Sequence, residues 1–212
     1  MIKLALAKGR ITQDALPLLE ALGFDPGVVT ASRKLILTNE KEDVALVFLK
    51  PSDIPLYVSQ GAVDLGIVGK DTVLENDLEL YELLSMDMAK CAMCLAGPKE
   101  KKPMVNGIRI ATKYPRITNR FLEELGVTGE IIPLSGSVEL APLIDLSDVI
   151  VDLVQTGQTL KENGLEVYEV ILDISAMLIA NKVSYKTKAD GILKFLKVCE
   201  GRGTYDPMLS IL

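Results

Sequence analysis

Short apolar runs alternate with stretches of helical pattern along this 212-residue chain, and no other feature constrains its fold as strongly. An apolar run bounded by polar turn residues predicts a buried strand, and the apolar spacing between the runs predicts helices. This alternation is typical of an α/β protein with largely parallel sheets. The predicted strands are residues 2–7, 34–38, 44–49, 63–68, 108–112, 130–134 and 149–154. The predicted helices are residues 12–22, 51–60, 71–76, 115–125 and 137–144.

The segment Gly97–Pro103 interrupts the alternation with proline, glycine and charged residues, as a surface loop does. The strands before this segment and those after it form two similar sets. We therefore expect two α/β lobes, the first formed by residues 1–88 and completed by 178–212, the second by residues 89–177. The apolar residues near the C-terminus are expected to form a buried terminal strand or a frayed end rather than an interface. They are Met208, Leu209, Ile211 and Leu212.

The composition excludes several classes of function. The chain has no histidine, which removes every Ser-His or Cys-His mechanism and the commonest general base. Its three cysteines cannot form an even disulfide framework, and the pair Cys91 and Cys94 lacks partners for a metal site. We interpret the cysteines as small buried hydrophobes. A net charge of -6 argues against binding nucleic acid through an extended basic surface.

The apolar runs also argue against a membrane protein. All are far shorter than the roughly 18 residues that a membrane span needs. At the N-terminus, Lys8 and Arg10 follow the apolar stretch Leu4–Ala7 too closely for a secretory signal. We expect a soluble, cytoplasmic protein that makes no contact with a membrane.

Positively charged residues follow four of the predicted strands directly. They are Lys8, Lys50, Lys70 and Lys113. Ligands of doubly wound sheets bind beyond the carboxyl ends of the strands, so these cations are expected to converge on one crevice. Any single lysine after a strand is more simply an ordinary surface residue. Their repetition indicates a site for a phosphate-rich ligand.

Two further strands are followed by hydroxyl-rich and glycine-rich turns. Ser135–Glu139 follows one strand and Gln155–Thr159 follows another, and each turn opens a helix. In the second turn, Gly157 permits close approach of the backbone, while free amides and neighbouring hydroxyls can surround a phosphate. Asp152, near the end of the preceding strand, can accept hydrogen bonds from ribose hydroxyls or help to hold a hydrated Mg²⁺.

The same stretches resemble a known family. Glu139–Leu160 is similar to the signature of the ATP phosphoribosyltransferases, which carries their loop for the phosphate of phosphoribosyl pyrophosphate (PRPP). The segments Leu6–Ile11, Pro51–Asp71 and Arg109–Pro115 match the family in order, so the resemblance extends from residue 2 to about residue 187. Two residues depart from it. Asp145 replaces the usual glycine. Lys50 replaces a common arginine; it keeps the positive charge but lacks the guanidinium group, which can donate two hydrogen bonds to one phosphate.

The resemblance implies a two-lobed periplasmic-binding-protein-like (type II) fold with a ligand cleft between the lobes, where PRPP and ATP bind with Mg²⁺. It implies that Arg10 and Arg33 are the catalytic cations. Asp152 and Glu139 are expected at the ribose hydroxyls, and the loop from Thr156 at the 5′-phosphate, although Glu139 is equally interpretable as a first-turn helix carboxylate. The full predicted substrate-binding set is Lys8, Gly9, Lys50, Lys70, Thr112, Lys113, Glu139, Asp152, Thr156, Gly157, Gln158 and Thr159.

The implied reaction is attack of adenine N1 of ATP on ribose C1 of PRPP, giving N1-(5-phosphoribosyl)-ATP and pyrophosphate at the first step of histidine biosynthesis. This attack needs no general base, which suits a chain without histidine. The short length implies a short-form catalytic subunit, a homodimer when alone, that associates with a histidyl-tRNA-synthetase-like regulatory subunit. Two alternatives remain at this point: a non-catalytic ligand-binding protein of the same fold, and a regulatory paralogue without turnover.

Overall fold

The structure is a computed structural model that describes residues 1–100, 103–199 and 203–204. The strands of this part of the chain are β1 (Ile2–Leu6), β2 (Ile36–Asn39), β3 (Val44–Phe48), β4 (Leu65–Gly69), β5 (Tyr81–Pro98), β6 (Ile108–Thr112), β7 (Gly129–Pro133), β8 (Val149–Val154), β9 (Leu165–Ala180) and β10 (Gly203–Thr204). Its α-helices are α1 (Arg10–Asp14), α2 (Leu16–Ala21), α3 (Pro26–Ala31), α4 (Ile54–Ser59), α5 (Lys70–Asn76), α6 (Pro115–Leu125), α7 (Gln158–Glu162), α8 (Lys182–Thr187) and α9 (Ala189–Cys199). Two 3₁₀ helices span Pro51–Asp53 and Val138–Ile144.

The chain divides into two compact units. Unit one contains Met1–Ala89 and the described residues from Ser175 onward, and unit two contains Lys90–Ile174. The divisions lie within β5 and β9, so each of these long strands belongs to both units. The boundaries expected from the sequence, after residues 88 and 177, fall at neighbouring positions of the same two strands.

Unit one has a sheet with helices on both faces. Its strand order is β2-β3-β1-β4-β9, in which β1 pairs in parallel with β3 and β4, while β2 and β9 pair antiparallel with their neighbours. Successive side chains of β1 enter different cores, as the pleat requires. Leu4 packs with α2 and α9, whereas Ala5 packs with Ile54 of α4. A strand buried on both faces reads as a continuous apolar run, which is why β1, β3 and β4 were predictable.

Unit two repeats this arrangement on a smaller scale. The strand order is β5-β8-β6-β7, with β6 parallel to both β7 and β8, and β8 antiparallel to β5. Ala96, Ala111 and Ile150 from three strands form a core with Leu160 of α7. Helix α6 packs against β7. The predicted α/β class is therefore correct for each unit. The pairing is largely parallel only in unit two, because two of the four pairings in the strand order of unit one are antiparallel.

Several predicted elements differ from the structure. The helix expected over 12–22 is two short helices, separated at Ala15, with Pro17 opening the second. The helix expected over 137–144 is a 3₁₀ helix, because Pro142 lies inside it and Ser137 and Asp145 adopt positive φ at its two ends. Strands β5 and β9 were not predicted, because their burial follows no regular alternation over their length.

The C-terminal helices α8 and α9 belong to unit one, where Phe195 joins the core that contains Leu4. Met208, Leu209, Ile211 and Leu212 lie outside the described residues, so their expected role stays a prediction. Among the residues that the structure describes, no helix combines the length and apolarity required to cross a membrane.

A buried carboxylate anchors α8 and α9 to the sheet of unit one. Asp64, just before β4, accepts hydrogen bonds at Oδ2 from the Lys3 amide (2.8 Å) and from Lys188 Nζ (2.9 Å). Its Oδ1 accepts from Ser184 Oγ (2.6 Å). Burial acts to raise the pKa of Asp64, but the hydrogen bonds from Lys188, Ser184 and the Lys3 amide outweigh it and hold the pKa below its usual value.

Replacing this carboxylate by an amide tests the anchor. Asp64→Asn is expected to lower the free energy of unfolding near neutral pH by about 2 kcal/mol, as measured by urea unfolding. The pKa of Asp64 is lower in the folded protein than its ordinary value of 3.8, which applies to the unfolded chain. The stabilisation by the Asp64 carboxylate is therefore present above pH 3.8 and is lost as the pH falls through the pKa of the folded protein. The difference between wild type and Asp64→Asn should therefore be constant from about pH 7 to pH 5 and narrow below pH 3.8.

The exposed ion pair between Glu79 and Lys182 provides the control for this prediction. Their side-chain atoms are 3.4 Å apart, and the Glu79 side chain is 91% exposed. Glu79→Gln should change the free energy of unfolding by less than about 0.5 kcal/mol. Equal losses in the two variants would show that Asp64 is no special anchor.

Candidate active site

Unit one gathers positive charge at one edge of its sheet. The parallel register pairs Leu6 with both Phe48 and Ile67, so the carboxyl ends of β1, β3 and β4 lie side by side. Lys8, Lys50 and Lys70 follow these three strands and therefore occupy this edge. The first two are exposed and Lys70 is half-buried. Gly9 lies among them with a φ of 129°, a conformation that favours glycine.

Arg33 reaches the same edge although it precedes a strand. Because β2 runs antiparallel to β3, its amino end lies beside the carboxyl end of β3, where the Phe48 amide donates to the Leu35 carbonyl (2.8 Å). Lys8 Nζ donates to the carbonyl of Ser32, the residue before Arg33. The exposed Arg33 is thus brought to the lysine cluster by strand pairing.

Arg10, the first residue of α1, is anchored to β5. Its Nη2 donates to the carbonyl of Ala89 (3.2 Å), while the amide of Ala89 donates to the carboxylate of Asp14 (2.9 Å). Asp14 was absent from the sequence-based site. Arg10 and Asp14 are four residues apart and therefore lie on one face of α1. This spacing is the sequence signal that could have identified Asp14 as a neighbour of Arg10.

Two further interactions lie at the unit-one edge. Lys8 Nζ lies 5.1 Å from the centroid of the Phe48 ring, a cation-π contact that orients the ammonium group. On β5, burial raises the pKa of the Glu82 carboxyl, and the positive charge of Lys70 opposes this shift. Lys70 and Glu82 are therefore close enough to interact electrostatically.

Unit two gathers its turns at the corresponding edge of its own sheet. Thr112 at the end of β6 pairs with Pro133 of β7 and Val151 of β8. Consequently Lys113, the turn that contains Glu139, and the turn Gln155–Thr159 all follow strands that end at the same edge. Lys113 is exposed, whereas Glu139 is half-buried in the first turn of its 3₁₀ helix.

Thr112, expected among the substrate-binding residues, has a side chain that is tied into the sheet of unit two. Its side chain is completely buried, with Oγ1 donating to the Val151 carbonyl (2.6 Å) and accepting from the Tyr114 amide (2.9 Å). The Leu134 amide donates to the Thr112 carbonyl (2.9 Å). Thr112 therefore links three strand ends and shapes the turn of Lys113.

The turn after β8 leads into α7 through a glycine in the left-handed conformation. Gly157 caps α7 with a φ of 73° and contributes no side-chain cap, so the first-turn amides are left to other acceptors. Thr156 and Thr159 are exposed, and Thr156 Oγ1 accepts weakly from the Gln158 amide (3.4 Å). The Gln158 side chain points along the helix, donating to Glu162 Oε1 (2.6 Å).

Two aspartates of unit two, Asp152 and Asp145, lie close to the ends of their elements. Asp152 is half-buried near the end of β8, where its Oδ1 accepts from the Leu153 amide (2.8 Å). Asp145 has a φ of 57° at the end of the 3₁₀ helix, so the usual glycine occupies a position that requires left-handed backbone. Aspartate tolerates this conformation, and Arg109 Nη1 donates to the Asp145 carbonyl (2.8 Å).

The structure thus places the predicted site residues in two groups. At the edge of unit one lie Lys8, Gly9, Arg10, Arg33, Lys50 and Lys70, and at the edge of unit two lie Thr112, Lys113, Glu139, Asp152, Thr156, Gly157, Gln158 and Thr159. Within the described ranges, no group of three or more Cys, Asp and Glu side chains converges to hold a metal ion. Two α/β units, each with polar or charged residues at the carboxyl ends of its strands, define the class: a two-lobed α/β protein.

Comparison with known proteins identifies the family. A family model for ATP phosphoribosyltransferase (HisG) matches residues 50–201. The ATP phosphoribosyltransferase of Alkaliphilus metalliredigens is 50% identical over 191 residues, covering 89% of this chain and 91% of the relative. That of Clostridioides difficile is 43% identical over 201 residues, covering 94% and 97%. The chain belongs to the ATP phosphoribosyltransferase family.

A solved structure agrees with this assignment. The ATP phosphoribosyl transferase (HisG:HisZ) complex from Thermotoga maritima contains a chain with a TM-score of 0.82 and 38% identity, covering 93% of this chain and 96% of that one. The predicted fold class and enzyme class, a phosphoribosyltransferase acting at the first step of histidine biosynthesis, are confirmed. The non-catalytic alternative is not favoured. Members of the family generally use a divalent metal.

The buried hydroxyl of Thr112 generates a testable prediction. Thr112→Val retains the shape but leaves the Val151 carbonyl and the Tyr114 amide without this partner, so the free energy of unfolding should fall by about 2 kcal/mol. Thr112→Ser keeps the hydroxyl and should lose less. Chemical denaturation of the three proteins measures the difference. If Thr112→Val were as stable as wild type, the link between the strand ends would be unimportant.

Proposed function

We propose that the loop Gln155–Thr159 holds the 5′-phosphate of PRPP and that the cations at the strand ends act on its pyrophosphate. The observation that supports this most strongly is the loop itself: Gly157, with positive φ, lies in the short turn that joins α7 to β8, the strand that carries Asp152. Backbone amides of the loop and the hydroxyls of Thr156 and Thr159 can surround a phosphate there. Asp152 and Glu139, both half-buried, accept hydrogen bonds from the ribose hydroxyls.

The cations at the strand ends suit a leaving group that is negatively charged pyrophosphate. Adenine N1 of ATP forms a bond to ribose C1 as the bond between C1 and the pyrophosphate oxygen breaks, and the bonding electrons leave with pyrophosphate. Arg10 and Arg33 stabilise the charge that grows on this group, assisted by Lys8, Lys50, Lys70 and Lys113. The N1 lone pair needs no proton removed, so the absence of histidine is no obstacle.

We propose Mg²⁺ as the divalent metal. Mg²⁺ usually binds through one or two carboxylates together with substrate phosphates and water, without a dedicated protein cage. The described residues fit this mode, because they contain no cluster of three metal-binding side chains but place Asp152 at the strand end. When bound, Mg²⁺ neutralises phosphate charge. Asp152 is the residue that would help to hold it through water.

We further propose that a histidyl-tRNA-synthetase-like regulatory chain partners this subunit. The support is the solved HisG:HisZ complex from Thermotoga maritima, 96% of whose matching chain is covered here. Without this partner we expect a homodimer. Because ATP and PRPP are cytoplasmic metabolites, the cytoplasm is the proposed location.

The roles of Arg10 and Arg33 predict a specific kinetic effect. Arg10→Ala or Arg33→Ala should lower kcat more than it raises KM for PRPP, since each cation contacts the departing pyrophosphate more strongly as its charge grows. A loss of about 10²- to 10³-fold is expected from removing one such donor. Single-turnover kinetics measure the chemical step directly. Lys41→Ala, at the opposite end of the β2–β3 hairpin, is the control and should retain the wild-type rate.

The phosphate loop predicts an effect on binding. Gly157→Val strains the left-handed backbone at φ 73° and blocks close approach of the phosphate, so calorimetric titration should show PRPP affinity reduced by at least about tenfold. Gly164, at the far end of α7, has a φ of 72° and open space around it, so Gly164→Val imposes a matched strain. Normal PRPP affinity in Gly157→Val, or equal losses in both variants, would remove the loop from the site.

The proposed partner predicts how inhibition by histidine arises. The isolated chain should sediment as a homodimer, bind no histidine in calorimetry, and retain its activity when histidine is added. Inhibition should appear only after addition of the regulatory chain, because histidine then shifts the equilibrium of the complex. Tight histidine binding by the isolated chain would contradict this proposal.

A further inference from the structure

Ala89 is the unusual residue of β5. Its φ is 53°, a left-handed conformation that alanine rarely adopts, and it is only 8% exposed. The extended strand continues on both sides of it. Such a conformation costs free energy and persists only where the surroundings hold it in place. The hydrogen bonds of Ala89 therefore identify the residues that hold this conformation.

Helix α1 holds both backbone polar groups of Ala89. The Ala89 amide donates to Asp14 Oδ2 (2.9 Å), and the Ala89 carbonyl accepts from Arg10 Nη2 (3.2 Å). Arg10 and Asp14 lie four residues apart, so they project from one face of α1. Each hydrogen bond has one ionised partner, which makes it stronger than a bond between neutral groups. The carboxylate and the guanidinium thus bind two sides of one peptide turn.

We propose that Asp14 is a positioning residue for Arg10. By holding the Ala89 amide, Asp14 fixes the left-handed turn, and the turn sets the direction of the carbonyl that receives the Arg10 guanidinium. A guanidinium already oriented before the reaction needs no reorganisation as charge grows on the leaving group. This inference rests on the proposed role of Arg10 in the reaction.

A double-mutant cycle tests this inference. The single-turnover rate and the PRPP KM are measured for wild type, Asp14→Ala, Arg10→Ala and the double variant. Asp14→Ala should lower the rate roughly 10- to 100-fold with little change in KM, because misplacing a catalytic group by about 1 Å can cost about 10²-fold. The double variant should be no slower than Arg10→Ala, since Asp14 acts through Arg10.

Two further variants separate positioning from a general effect on stability. Asp14→Asn keeps an oxygen that can accept from the Ala89 amide, so it should recover most of the rate lost in Asp14→Ala. Asp25 accepts from the Val28 amide (3.1 Å) at the start of α3, so Asp25→Ala also removes a carboxylate bonded to a backbone amide. This control should retain the wild-type single-turnover rate.

The outcomes distinguish the positioning role of Asp14 from the proposed role of Arg10 in the reaction. If the losses of Asp14→Ala and Arg10→Ala multiply in the double variant, or if Asp14→Ala has the wild-type rate, the positioning role is wrong while the role of Arg10 stands. If Arg10→Ala itself has the wild-type rate, the proposed function of Arg10 is wrong. Should Asp14→Ala fail to fold, the cycle is repeated in an Ala89→Gly background, where positive φ carries no strain.

Discussion

Parallel pairing of strands is the constraint on which the rest of this structure depends. In unit one, the register at Leu6 aligns the ends of β1, β3 and β4, and the Leu49 amide donates to the Leu6 carbonyl (2.9 Å). In unit two, Thr112 does the same for β6, β7 and β8 through its backbone and its buried hydroxyl. Because the strands of each unit end together, residues that are distant in sequence become neighbours at one edge.

This alignment gives an acidic chain a locally cationic surface. The net charge is -6, yet the edge of unit one carries three lysines and two arginines. Positive charge gathered in this way attracts anionic ligands, in agreement with the role proposed for these cations. It also suits a reaction whose barrier lies in the departure of pyrophosphate, for which aimed cations contribute more than a general base.

The sequence predicted the strand ends well because strands buried on both faces are continuous apolar runs. It missed β5 and β9, whose side chains change environment along the strand. Arg33 was placed only by resemblance, although the β2–β3 hairpin held the necessary information: antiparallel pairing puts the residues before β2 beside the end of β3. The burial of Thr112 and the contact of Asp14 with Ala89 depend on tertiary packing, which no local pattern reveals. The left-handed conformation of Asp145 was recognisable as a glycine position only from the family signature.

This chain joins ATP to PRPP through adenine N1, and both products of that reaction can be followed. The most direct measurement incubates the purified chain with ATP, PRPP and Mg²⁺, with and without the regulatory chain, while following the ultraviolet absorbance of the N1 adduct and the release of pyrophosphate. Both products should appear together in equal amounts, and neither should appear when PRPP is omitted. Binding of PRPP without any adduct, in the presence as well as the absence of the regulatory chain, would contradict this expectation.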